Sequence, residues 1–320
     1  MKAWSMAAHG GPERLALTEQ PAPEPKSGEL RVRVAAAALN FSDLLMLRGE
    51  YQVRPPLPFV PGQEIAGIVE LARSGAHRSG DRIAAKVMWG GFAEQALVRE
   101  DMVITLPAEV SFSAGATLPV VWPTAWIALF DRGQLQAGET VLVLAAAGGV
   151  GLAAVQLAHA ARARVIAAVG SEAKFALCRS HGADEAIDYS SSGWLEQVRS
   201  LTAGRGVDVI FDPVGADIGE ASLKCLARGG RLLIVGFAGG RIPALPANRL
   251  LLKNASALGV YWSHEQDRAL LERAFADLWR RHAAGELRFA AEREYAFSEL
   301  PRALADLAAR RTTGKCVIVA

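Results

Sequence analysis

The sequence predicts an α/β protein in which a doubly wound parallel sheet is flanked by a mostly β part. Three observations carry this. Apolar strand-like runs alternate with helical stretches through the middle third, short strand runs separated by Gly/Pro-rich turns fill the first 120 residues, and a turn of small residues follows one buried strand. Taken in order, strands are expected at 30–37, 64–71, 82–87 and 92–98, with one short helix at 42–48. The segment 21–25 (PAPEP) reads as a stiff connector. The parallel sheet is expected from strands 141–144, 164–169, 185–189, 207–212, 231–236 and 255–262. Its crossovers are helices 152–161, 174–181, 194–202 and 218–227. An amphipathic helix at 267–284 and a strand at 316–319 close the chain and are expected to rejoin the first part. The domains are therefore 1–123 with 262–320, and 124–261.

Ala145, Gly148 and Gly151 form an A-x-x-G-x-x-G turn between the first strand of that sheet and the helix after it. Small residues there let the backbone approach a pyrophosphate and let helix and strand pack closely. The helix N-terminus adds unpaired N–H groups and a positive dipole end. Strand before and helix after are the context a dinucleotide site requires, which puts Ala147, Gly148, Gly149, Val150 and Gly151 against a cofactor. A tight turn in an α/β core with no ligand is the alternative.

The next strand ends in Gly170, nineteen positions after Gly151. NAD-preferring sites carry an acid about 20 residues beyond the glycines, which bonds the ribose hydroxyls. Gly170 instead leaves room for a 2′-phosphate, Ser171 offers a hydroxyl and Lys174 a positive charge, so NADPH is expected. Glu172 argues the other way, and a helix-capping Ser171 with a solvated Lys174 is the alternative for those two residues.

Of the 320 residues, 51% are hydrophobic and 21% charged, ordinary for a soluble enzyme, and the length suggests two domains. A net charge of +2 gives no electrostatic case for nucleic acid or an anionic membrane. Cys178, Cys225 and Cys316 lie far apart, which argues against a disulfide framework and for a reducing compartment. With no secretory h-region and no long apolar run, a cytoplasmic location is expected.

The stretches NFSDLLMLRGEY (40–51), PFVPGQEIAGIVE (58–70), GDRI (80–83), GGFAEQALV (90–98), the glycine turn with Gln156, and TGK (313–315) carry a resemblance over essentially the whole chain. It is to the zinc-free quinone oxidoreductase (zeta-crystallin-like) branch of the medium-chain dehydrogenase/reductases. The resemblance implies a GroES-like mostly-β catalytic domain, a Rossmann domain, an active site in the cleft between them, NADPH, and homodimers paired through Rossmann edge strands. By motif position it puts Ser171, Lys174, Tyr189 and Lys315 at the adenosine phosphate end. Asn40, Tyr51 and Thr124 fall on the nicotinamide and substrate side. The segments Gly236, Phe237, Ala238 and Val260, Tyr261, Trp262 run beside the nicotinamide.

Departures from the zinc-dependent branch shape the expected chemistry. Asn40 stands where those enzymes have a cysteine ligand and Gln63 where they have a histidine, while 119–123 (PVVWP) offers no thiol. Zinc takes cysteine, histidine or carboxylate ligands, so no catalytic metal is expected. Alcohol oxidation in this superfamily relies on a Lewis acid. A quinone or α,β-unsaturated carbonyl needs only a hydride, stabilisation of the developing oxyanion, and a proton that water can supply. Asn40 and Tyr51 are the candidate donors; a loop-holding amide and an aromatic pocket wall are their alternatives. The expected activity is NADPH-dependent reduction of quinones or activated enones. An enoyl-thioester reductase shares the fold and the hydride step, and a non-enzymatic NADPH- or RNA-binding relative is the reading from another class.

Overall fold

The computed structural model describes residues 1–73 and 75–319, and the chain divides into two compact units. One comprises Met1–Val120 with Phe289–Ala320, the other Val121–Arg288.

The second unit is a six-stranded, all-parallel sheet. Across it run Glu185–Asp188, Arg164–Val169, Thr140–Leu144, Val207–Asp212, Leu226–Ile234 and Ser256–Gly259. The chain starts at Thr140–Leu144, builds outward one way, then returns to build the other half. That reversal is the switch point at which open α/β sheets bind ligands. Val141 to Leu144 are wholly buried, as strands covered on both faces require.

Two expectations shift here. The helix expected at 218–227 is Ala216–Ser222 followed by a short 3₁₀ turn, and the strand begins at Leu226 rather than 231. Pairing of Val207 with Leu226 draws Leu226 and Ala227 into the sheet, and Gly229 and Gly230 just beyond them are poor helix formers. The boundary expected at 262 differs too. The helix Arg268–Ala283 belongs to the second unit, because Leu271 packs with Ile127 and Trp262, and Trp126 Nε1 donates to Asp277 at 2.9 Å.

The first unit is a seven-stranded sheet ordered Arg293–Ala296, Cys316–Val319, Glu29–Ala38, Glu64–Ala72, Arg82–Lys86 and Val103–Thr105, with Gln95–Arg99 also pairing Glu29–Ala38. A hairpin of Lys2–Met6 and Leu15–Glu19 accompanies it. Antiparallel pairing of Val317 with Ala38, and of Ala38 with Glu64, brings three distant parts of the chain to one end of this sheet. No helix among the described residues is long and apolar enough to cross a membrane.

Candidate active site

In the second unit the glycine turn is defined by close approach of backbones. Ala145 takes φ +48°, a conformation uncommon for a residue with a Cβ. The Gly148 N–H then donates to Ala145 O at 2.9 Å, and Gly148 caps the helix Gly149–Ala160 with no side-chain bond. A Cβ on Gly151 would lie 2.3 Å from Ala145 O, so only glycine fits where the helix crosses the strand end. The first-turn N–H groups have no intrahelical acceptor and carry the positive end of the helix dipole. Buried Ala147 leads into this turn, and Gly149 and Val150 begin the helix half-buried. Further along, Gln156 exchanges hydrogen bonds with the Arg288 backbone, accepting from its N–H at 2.8 Å.

The adjacent strand delivers Gly170 to the surface beside Tyr189. A Cβ there would lie 3.3 Å from the Tyr189 ring, close enough that the ring would have to give by a few tenths of an ångström. Tyr189 itself packs on the apolar core of this unit. Ser171 caps the following 3₁₀ turn by accepting from the Ala173 N–H at 3.4 Å, and Lys174 ends that turn half-buried.

On the other side of the switch point, buried Asp212 ties a loop together. Its Oδ1 accepts from the N–H groups of Val214 and Gly215, both at 2.8 Å, and burial pushes its carboxyl above the usual range. A Cβ on Gly219 would meet the other carboxylate oxygen at 2.3 Å. The segment from Gly236 through Phe237 and Ala238 is strapped to this loop, with Ala238 N–H donating to Pro213 O at 3.0 Å and Gly239 N–H to Val214 O at 2.7 Å. Val260 N–H donates to Ile234 O at 3.0 Å, Tyr261 is exposed, and buried Trp262 donates through Nε1 to Thr124 Oγ1 at 2.9 Å.

The first unit holds a different kind of site. Asn40, Asp43, Glu64 and Lys315 are all buried. Lys315 Nζ donates to Leu39 O and to Asn40 Oδ1, each at 2.9 Å, and to Glu64. Asn40 Nδ2 donates to Glu64 Oε2 at 2.8 Å, and the other Glu64 oxygen accepts from Val120 N–H at 2.6 Å. Asp43 accepts from the Asn40 backbone N–H at 2.8 Å, while its Oδ1 has no hydrogen-bond partner. Burial, opposed by that N–H and by Lys315, pushes its carboxyl up to about 7. Ser42 Oγ donates to Gln63 Oε1. Tyr51 is half-buried against the apolar core of this unit. Removing one partner of a buried ion pair such as Glu64–Lys315 costs about 3–5 kcal/mol.

The Alcohol dehydrogenase GroES-like domain family matches residues 26–108, and the Zinc-binding dehydrogenase family matches residues 149–277. The quinone oxidoreductase of Pseudomonas aeruginosa is 37% identical over 322 residues, covering 98% of each chain. The quinone oxidoreductase-like protein 2 of Mus musculus is also 37% identical, over 91% of this chain and 84% of its own. The chain belongs to the zinc-free quinone oxidoreductase branch of the medium-chain dehydrogenase/reductases. Among solved structures of the branch, the quinone oxidoreductase of Thermus thermophilus, solved alone and with NADPH, superposes with a TM-score of 0.87 at 38% identity, covering both chains in full.

Membership of this branch frames what the geometry does with each expected residue. The second unit gathers the glycine turn, the Gly170–Tyr189 contact and the 236–238 strap at the ends of one sheet. The branch motif puts Lys315 at the adenosine phosphate; in this structure its three ammonium donors are engaged inside the first unit. The positions of two zinc ligands in zinc-dependent relatives are held by Asn40 and Gln63, and both amides are engaged by neighbouring side chains. Sequence reasoning passed over Glu64 and Lys315 as a pair. The signal was present: EIAGIVE and TGKCVIV each place one charge at the start of an apolar strand, where an unpaired charge is too costly to bury.

Proposed function

We propose that this protein is an NADPH-dependent reductase that delivers a hydride to quinones or activated enones. One observation carries the cofactor reading: Gly151 has no room for a Cβ against Ala145 O, and the neighbouring strand ends in Gly170 under Tyr189 rather than in an acid. The first-turn N–H groups of Gly149–Ala160 would hold the pyrophosphate, and Ser171, Lys174 and Tyr189 the 2′-phosphate end. The NADPH complex of the Thermus thermophilus enzyme supports the same choice. When bound, NADPH supplies a hydride from nicotinamide C4, and the balance is quinone, NADPH and one proton to hydroquinone and NADP⁺.

The chain's own part is to position the acceptor and stabilise charge. Asn40 donates a hydrogen bond to the acceptor oxygen as it becomes negative, a type of contact worth about 3–4 kcal/mol in comparable sites. Tyr51 forms an aromatic wall for a planar acceptor, and water supplies the proton. The acceptor is electrophilic in its own right, which suits a site with amides at the zinc-ligand positions.

Among the described residues the edge strand Ser256–Gly259 has one neighbour only, and Leu251 and Leu252 before it are 76% and 75% exposed. Both features support a homodimer through this edge, checked by light scattering on the eluted protein. Cys178, Cys225 and Cys316 are buried free thiols, which fits the reducing cytoplasm.

The deciding experiment is the initial rate of NADPH oxidation with 1,4-benzoquinone, beside a 2-enoyl thioester, repeated with NADH. Rapid quinone turnover with NADPH and little with NADH is expected. Turnover of the thioester alone would replace the acceptor class, and equal rates with both cofactors would remove the 2′-phosphate assignment.

A further inference from the structure

An asparagine side chain is nearly symmetric in shape, so its surroundings decide whether oxygen or nitrogen faces a ligand. At Asn40 the chemistry leaves one arrangement. The Lys315 ammonium can only donate, so the Asn40 atom 2.9 Å from it is Oδ1. The Glu64 carboxylate can only accept, so the atom 2.8 Å from it is Nδ2. One Nδ2–H is spent on Glu64, and the second is the only side-chain donor Asn40 retains.

The two orienting groups are themselves fixed. Lys315 also donates to Leu39 O, the carbonyl just before Asn40, and Glu64 is held through its other oxygen by the Val120 N–H. Their anchorage is the sheet: Cys316–Val319 and Glu64–Ala72 both pair with Glu29–Ala38, meeting at Ala38. All of these partners lie within the first unit, and none belongs to the dinucleotide turn.

We propose that Lys315 and Glu64 are positioning residues that lock the amide of Asn40 with its remaining N–H as the donor to the acceptor oxygen. This rests on the reading of Asn40 given above. The ammonium on Oδ1 also draws electron density from the amide, which strengthens the remaining N–H as a donor along the hydrogen-bond chain. A charge pair kept only for stability would tolerate neutral replacement, whereas a pair that sets the amide's orientation would not.

The test compares Asn40→Ala, Lys315→Met, Lys315→Arg and the charge-balanced pair Lys315→Met/Glu64→Gln, which leaves no unpaired buried charge if Lys315→Met fails to fold. The readouts are kcat and KM for 1,4-benzoquinone, the NADPH Kd, and side-chain amide NMR after selective ¹⁵N labelling of the three asparagines, Asn40, Asn248 and Asn254. The charge-balanced pair is expected to lose about tenfold or more in kcat, with NADPH Kd within about twofold of the parent. The Asn40 amide signals are expected to exchange slowly with solvent in the parent and rapidly in the pair, and Lys315→Arg should recover most of both. If Asn40→Ala loses kcat while the balanced pair keeps it and its amide protection, the positioning role is overturned and the reading of Asn40 stands. Retention of kcat by Asn40→Ala would overturn both. A rise in NADPH Kd that parallels the kcat loss would return Lys315 to the phosphate and overturn the proposal.

Discussion

The glycine turn and the Asn40 network are built from opposite materials. The turn is made by backbone: Ala145 at φ +48°, Gly148 at the helix start and Gly151 against Ala145 O, with no charged side chain in the contact. The network is made by side chains, one buried ammonium and one buried carboxylate arranged around an amide. A backbone site depends on the absence of atoms and fails when one is added. A side-chain site depends on complementary donors and acceptors and fails when one is removed. The two regions should therefore respond to different substitutions.

The largest effect is expected at Gly151. Valine there would force the helix away from Ala145 O, at a cost of about 1–3 kcal/mol for overpacking alone. The melting temperature should fall, and titration calorimetry should find NADPH binding weakened by at least about tenfold, since about 1.4 kcal/mol is a factor of ten. Unaltered NADPH affinity would break the contrast, because the turn would then owe nothing to backbone approach.

The next effect belongs to the network and is read by pH. The Asp43 carboxyl is pushed from 3.8 to about 7 by burial, so between these values the folded chain binds more protons than the unfolded one. The associated stability is full below about pH 4, declines as pH rises through about 7, and is absent above. Asp43→Asn should flatten this part of the profile and melt higher than the parent at pH 8. Denaturant melts of both proteins from pH 5 to pH 8 check it, and parallel profiles would show that Asp43 is not the titrating group.

The smallest effect is a change of preference. Lys174→Ala should raise the KM for NADPH about tenfold relative to that for NADH, because one charge-assisted hydrogen bond is lost. Equal effects on the two cofactors would remove Lys174 from the 2′-phosphate and leave Ser171 and Tyr189 as the remaining candidates.

How much of this was legible follows from how local each feature is. The strands 164–169 and 207–212 appear where the apolar runs put them, because a buried parallel strand needs only a short hydrophobic stretch. The glycine turn was legible for the same reason, since its three small residues lie within seven positions. The strand start at Leu226 and the helix Arg268–Ala283 in the second unit were not, because each was settled by partners far along the chain, Val207 for one and Trp126 for the other. The motif TGK by itself points Lys315 at a phosphate and gives no sign of its partners in the first unit. Its neighbours 251 and 275 positions away are supplied only by strand pairing.

By itself, then, the sequence determined that this chain would form a parallel nucleotide-type sheet and a mostly β companion, and that amides would stand at two zinc-ligand positions. Those properties follow from residue type and short-range spacing, through backbone sterics and hydrophobic periodicity. The tertiary structure alone decided that Lys315, Glu64 and Asn40 form one buried network, that Asp43 lies buried beside it with one oxygen unpaired, and that the helix Arg268–Ala283 packs on Trp126 and Ile127 within the second unit. Those outcomes depend on which strands and helices meet. A buried charge reads the same in the sequence whether its partner is one residue away or 251, until the sheet brings the two together.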